Sequence, residues 1–183
     1  MANKIKYGLR NVHYATITIS SGTITYGTPV ALLGAVNLSL SQAGEKNDFY
    51  ADDMVYFSQA ANNGYTGTLE LADLPASFKT DILKQTVDAK SVYIEDADKM
   101  PANFALGFEI QGDDKGRRVW LYNCSVSRPN IDAQTKEASI TPNTVTLDLT
   151  VMPRETDRAI KAELEDSTAT HTDYEAWFSA VYD

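Results

Sequence analysis

Residues 144–151 of this chain alternate strictly. Val145, Leu147, Leu149 and Val151 are apolar, while Thr144, Thr146, Asp148 and Thr150 are polar. Successive side chains of an extended strand point to opposite faces, so the pattern puts one face in a core and the other in water, which no helix reproduces. The same holds for Leu38 and Leu40 against Asn37, Ser39 and Ser41, and for Leu69 and Leu71 against Thr68 and Glu70. Runs at 104–110 and 119–126 flank Gln-Gly-Asp-Asp-Lys-Gly, where Gly112 and Gly116 supply the backbone freedom of a hairpin. Further strands are expected at 12–20, 54–58 and 92–95.

Two segments carry helical signals instead. Leu74, Phe78 and Ile82 recur every four residues behind Asp73 and Pro75, which predicts a helix over about 74–86. Thr172 and Glu175 form a capping-box pattern ahead of Trp177, Phe178 and Val181, which predicts a short C-terminal helix. The expected fold is therefore mainly β, an antiparallel β-sandwich or barrel with one flanking α-helix and a short C-terminal helix, in a single domain over 1–183. Two stretches stand apart. Residues 41–53 (SQAGEKNDFYADD) are polar and acidic and read as a loop longer than usual connections. Residues 156–172 mix charges with Ser and Thr and read as either a helix fragment or a mobile tail segment.

Composition narrows function by exclusion. At 183 residues a chain buries roughly 70% of its unfolded surface, and 43% hydrophobic with 22% charged residues excludes overall disorder. Sixteen Lys and Arg against 25 Asp and Glu give a net charge of −9, which argues against binding nucleic acid through its phosphates. The basic opening lacks the apolar run and cleavage site of a signal peptide, and no stretch is long and apolar enough to span a bilayer, so a soluble protein made in a cytoplasm is expected. The single cysteine, Cys124, excludes a disulfide within the chain and a Cys-based zinc module, and it reads as a small buried residue.

The residues that carry chemistry elsewhere form no constellation here. His13 lies in a strand pattern and reads as structural; His171 precedes the last helix and reads as a capping or exposed residue. No zinc-binding spacing joins the two. Asp113, Asp114 and Gly116 lack the alternating carboxylates of a calcium loop and fit a hairpin tip better. Glu45, Asp48, Asp52 and Asp53 read as a solvated acidic loop ahead of a hard-cation site. Arg117 and Arg118 point to opposite faces of one strand, and the inward one needs a carboxylate. They read as rim charges near Asp113 and Asp114 or, in an oligomer, as an intersubunit ion pair. Neither a catalytic residue, a metal nor a cofactor is expected.

The strings KIKYGLRNVHYA, GTPVALLGAVNLSLSQAGE, FYADDMVYF, NNGYTGTLELADLPASFKTDIL, KGRRVWLYNCSVSRP and AWFSAVY, in this order over nearly the whole chain, resemble the major tail proteins of long-tailed bacteriophages and prophages of Gram-positive bacteria. The resemblance implies a non-enzymatic structural virion protein, assembled in the host cytoplasm, whose hexameric rings stack into the tail tube that conducts the genome. It implies an inner β-barrel closed by strands of all six subunits, and other tail proteins (tape measure, tail terminator, tip complex) as partners, without a membrane. By position, residues 41–53, with Glu45, Lys46, Asp48, Asp52 and Asp53, match the loop that commonly reaches into the neighbouring ring.

The residue pattern suits that role independently. A tube grows through heterologous contacts, and unpaired sheet edges of one copy can be completed by the next. The polar side of the two alternating strands, Thr68, Glu70, Thr146, Asp148 and Thr150, would offer DNA short hydroxyls and carboxylates in place of Lys and Arg, so that DNA passes without adhering. The competing expectation is a β-sandwich carbohydrate-binding or adhesive module; it needs exposed aromatic platforms, whereas the aromatics here fall mostly within strand patterns that read as core.

Overall fold

The alternation at 145–152 becomes a strand buried on one side only. In a computed structural model that describes residues 5–112, 115–135 and 142–183, Leu147, Leu149 and Val151 are buried while Thr146, Asp148 and Thr150 are exposed. The elements in chain order are β1 (Lys6–Ser20), β2 (Thr23–Tyr26), β3 (Val30–Ala31), β4 (Ala35–Gln42), β5 (Lys46–Ala51), β6 (Met54–Ala60), β7 (Tyr65–Leu71), α1 (Ala76–Asp81), β8 (Thr86–Val87), β9 (Tyr93–Ile94), β10 (Phe104–Gly112), β11 (Arg117–Val126), β12 (Val145–Met152), β13 (Lys161–Glu165) and α2 (His171–Ala176). The fold is mainly β with antiparallel sheets and two short helices.

The main sheet runs β2-β1-β10-β11-β12-β7-β4, with β3 on β1 and β13 on β11. β11 is the corner. Its residues Asn123, Cys124, Ser125 and Val126 pair with β12, while Arg117 to Leu121 pair with β13. One strand thereby serves two parts of the sheet, which fold toward each other and enclose Phe104, Leu106, Phe108, Leu121, Leu147, Leu149 and Leu69 between them. Full burial of each such side chain contributes about 1.5–3 kcal/mol.

β10 is buried on both sides, which explains its near-continuous apolar run. Phe104, Leu106 and Phe108 enter the main core; Ala105 and Gly107 lie under a second cluster of Trp120, Tyr122, Trp177 and Val181. Gly107 sits opposite Trp120 in the ladder, and a Cβ there would come within 2.7 Å of the indole ring. The absence of a side chain lets the indole lie flat on the strand. The C-terminal segment closes this side, with the Trp120 indole N–H donating to the Trp177 carbonyl oxygen at 3.1 Å.

Several expectations need correction. The first helix is six residues long, not the span 74–86. Pro75 is extended (φ −58°, ψ 145°) and Asp73 accepts from the neighbouring Leu74 amide, so neither starts a helix earlier; beyond the helix, Lys84 takes a left-handed φ of 58°. The apolar stripe is nonetheless in place: Leu74, Phe78 and Ile82 are buried, and Phe78 makes edge-to-face contacts with Tyr14 and Phe104. Thr172 and Glu175 form no capping box, because the N-cap of α2 is Thr170, two residues before Thr172, and it makes no side-chain cap hydrogen bond.

Residues 41–53 are not a loop. Ser41 and Gln42 end β4, and β5 pairs with β6 through a turn in which Asp52 and Asp53 both have positive φ (51° and 60°), the signature of a tight hairpin. Asp tolerates that conformation through local hydrogen bonding. Residues 156–172 are neither helix fragment nor tail alone, since they contain β13. Lys-Ala-Glu-Leu-Glu is made of good helix formers, and pairing along β11 overrides that propensity. The strand expected at 92–95 shrinks to Tyr93–Ile94, and Asp113 and Asp114 lie outside the described residues.

Candidate assembly surfaces

The five polar residues of the alternating strands come together on one face. Thr146 stands opposite Glu70, Asp148 opposite Thr68 and Thr150 opposite Thr66; on the far side of β7, Glu70, Thr68 and Thr66 pair with Asn37, Ser39 and Ser41 of β4. Because the side-chain period is two, this register carries all nine residues to the side away from Leu147, Leu69 and Leu38. None of the nine is Lys or Arg, and two are acidic. Thr146, Asp148, Thr150 and the β4 residues are exposed, and Thr68 and Glu70 are half-buried. Glu70 accepts a 2.6 Å hydrogen bond from the Thr144 hydroxyl. β4 ends the hydrogen-bonded order, so its outer edge has no ladder partner among the described strands.

The β5–β6 hairpin is the second surface. The ladder between β4 and β7 continues into it without a break, through Ala43 N to Gly64 O (2.9 Å), Asn63 N to Ala43 O (2.9 Å) and Ala61 N to Glu45 O (3.0 Å). The ribbon then forms a two-stranded sheet of its own. Phe49 faces Phe57, Tyr50 faces Val55 and Ala51 faces Met54. Phe49, Tyr50, Tyr56 and Phe57 are 62%, 65%, 73% and 58% exposed. The aromatics of this segment are therefore not core, contrary to expectation: the ribbon has passed beyond the sandwich. A solitary two-stranded hairpin is marginally stable in water, and exposed apolar groups of this size mark interaction surfaces.

Glu45, Lys46, Asp48, Asp52 and Asp53 all belong to this ribbon. Lys46 pairs with Asp48 at 3.2 Å, an exposed pair of little energetic weight. The acids are strung along the hairpin, and among the described residues no three His, Cys, Asp or Glu side chains gather as a metal site.

Arg117 and Arg118 do point to opposite faces, and each finds carboxylates within the chain; Asp113 and Asp114, the rim neighbours expected for them, lie outside the described residues. Arg117 pairs with Glu163 at 3.4 Å and with Glu165, both on β13. Arg118 meets Glu109 (Nε to Oε2, 3.0 Å), donates to the Tyr174 carbonyl oxygen, and lies 3.9 Å over the Tyr174 ring. Sequence reasoning missed Glu109, which is fully buried in the middle of an apolar run. Burial pushes its pKa up, but hydrogen bonds from Asn11, Arg10 and Arg118 outweigh this and hold it below the usual carboxylate value. Asn11 reaches Glu109 (2.8 Å) from a left-handed conformation, φ 51°, at a β1 bulge. Arg154, which binds Asp157 (2.6 Å) and Asp183, was missed as well; it fastens the chain end.

His13 is structural: its ring stacks on Phe178 at 4.5 Å and its Nδ1 lies 2.9 Å from the Asn11 carbonyl. His171 pairs with Asp166 at 2.9 Å, which raises its pKa. Cys124 is fully buried, and burial pushes its thiol up to about 12. The sequence matches no protein-family model and no curated protein.

Proposed function

We propose that this chain is a structural subunit that polymerises with copies of itself into a hollow tube, the role of the major tail proteins it resembles. The observation that carries this reading is the β5–β6 hairpin, a two-stranded ribbon that prolongs the β4–β7 ladder and whose exposed aromatics call for a partner in the working state. A subunit that projects such an arm from one place and receives it at another makes a heterologous contact, and heterologous contacts build rings and filaments. The outer edge of β4, which no described strand pairs, supplies a second means of joining copies, through backbone hydrogen bonds.

The nine-residue face on β4, β7 and β12 fits the inside of such a tube. Its short hydroxyl, amide and carboxylate groups release no counterions from DNA and repel it at close range. In this role the subunit is no enzyme; it carries its function by assembling in the virion tail, with other tail proteins at the two ends. Electron microscopy of concentrated protein tests the reading: rings or long tubes with a central hole are expected, and assemblies with no hole, or with a basic inner surface, refute it.

The exposed Phe49, Tyr50, Tyr56 and Phe57 favour a second reading, an adhesive or carbohydrate-binding module. That protein stays monomeric and binds a glycan through the hairpin.

A further inference from the structure

At the root of the hairpin the two parts of the sheet leave an opening. A cavity of about 190 Å³ has apolar walls that include Leu40, Phe108 and Leu121. Its rim carries Lys6, Arg117 and Lys161, with Glu163 among them. Arg117 and Lys161 both pair with Glu163, and Arg117 also with Glu165, so three cations face two carboxylates and the mouth stays positive. A void of roughly 150 Å³ in a protein core holds a benzene ring. This one has room for a single large side chain.

The hairpin has the complementary chemistry. Its turn is Asp52-Asp53, it carries Glu45, Asp48, Asp52 and Asp53 against Lys46 alone, and Met54 beside the turn is 61% exposed. From these two features we infer that the cavity is the receptor for the hairpin turn of a second copy of this chain. Met54 enters the apolar well, where an unbranched thioether adapts to an irregular gap, and Asp52 and Asp53 meet Lys6 and Lys161 at the rim. Leu40 and Tyr65 line the cavity, and Gln42 and Tyr65 form the last β4–β7 pair, so arm and receptor lie at the same end of the sandwich. This assignment rests on the polymerisation reading and names the acceptor within it.

The test is a cross-link between differently tagged chains, Asp53→Cys in one and Lys161→Cys in the other, mixed under assembly conditions and oxidised. Cys124 is the only native cysteine and is buried, so it does not compete. A disulfide needs Cα atoms within about 7 Å; the expected product is the mixed dimer, with its yield falling at least tenfold in Met54→Asp chains. Charge reversal gives an independent readout: Asp52→Lys with Asp53→Lys blocks association, and Lys6→Glu with Lys161→Glu in the partner restores it. Assemblies seen by microscopy without the mixed dimer overturn the receptor assignment and leave the tube. Mixed dimers without rings or tubes overturn the tube and keep the contact. A link formed only within an Asp53→Cys, Lys161→Cys double variant shows the hairpin folding onto its own chain and also overturns it.

Discussion

Glu109 and Arg118 stand opposite each other across the β10–β11 ladder, joined at 3.0 Å, and the carboxylate has no solvent exposure. Asn11 and Arg10 complete its shell. Removing one partner of a buried pair leaves the other charge uncompensated, at a cost of about 3–5 kcal/mol. Arg118→Met leaves Arg10 and Asn11 on the carboxylate, so it should lose less than that, about 1–3 kcal/mol, in chemical denaturation. A loss below about 1 kcal/mol would show that water reaches the carboxylate.

The same site sets an acid limit. The folded-state pKa of Glu109 lies below its unfolded value near 4.5, so its stabilising contribution is complete above that value and is lost as pH falls through the folded pKa. Unfolding free energy should therefore drop as pH falls below about 4.5, and the drop should be smaller in Glu109→Gln. Parallel pH profiles for the two proteins would remove Glu109 from the account.

Adjacent residues of β12 should differ sharply. Leu147→Ala removes a fully buried side chain and should cost about 2–5 kcal/mol. Thr146→Ala, on the exposed face, should stay within about 0.5 kcal/mol. Thermal unfolding of both variants measures the contrast.

Phe49→Ser with Phe57→Ser should leave the unfolding temperature nearly unchanged, because both rings are exposed, and should prevent assembly. Sedimentation at rising concentration checks it. Sedimenting tubes from this variant would mean that the aromatic pair does not join copies.

Asp148→Lys with Glu70→Lys turns two acidic positions of the polar face basic. If that face lines a channel, genome release slows, and isolated assemblies gain DNA affinity that weakens with salt. Unchanged release and no salt-dependent binding would take both residues off the channel wall.

Period-two patterning made the sandwich layers legible, because Leu147, Leu149, Leu69 and Leu38 have nowhere to go but a shared core once Thr146 and Glu70 face water. It also gathered the polar face correctly, since register follows from the same period. It failed where the decisive contact is distant. β13 is strand only because β11 is there to pair with it, and Lys-Ala-Glu-Leu-Glu says helix locally. The hairpin was hidden by its turn: Asp52-Asp53 lacks the Asn-Gly signature, so a structured arm read as loop. Glu109 looks like an interruption of an apolar strand until Arg10, Asn11 and Arg118 arrive from two other strands.

The hydrogen-bond ladder that passes from β4 and β7 into the arm has a mechanical consequence. Tension applied at the turn travels along the strand axes and meets the β7–β12 and β4–β7 ladders in shear, so that many bonds resist together rather than parting one by one. A fibre joined through such arms resists stretching at its junctions through the stiffest direction each building block possesses.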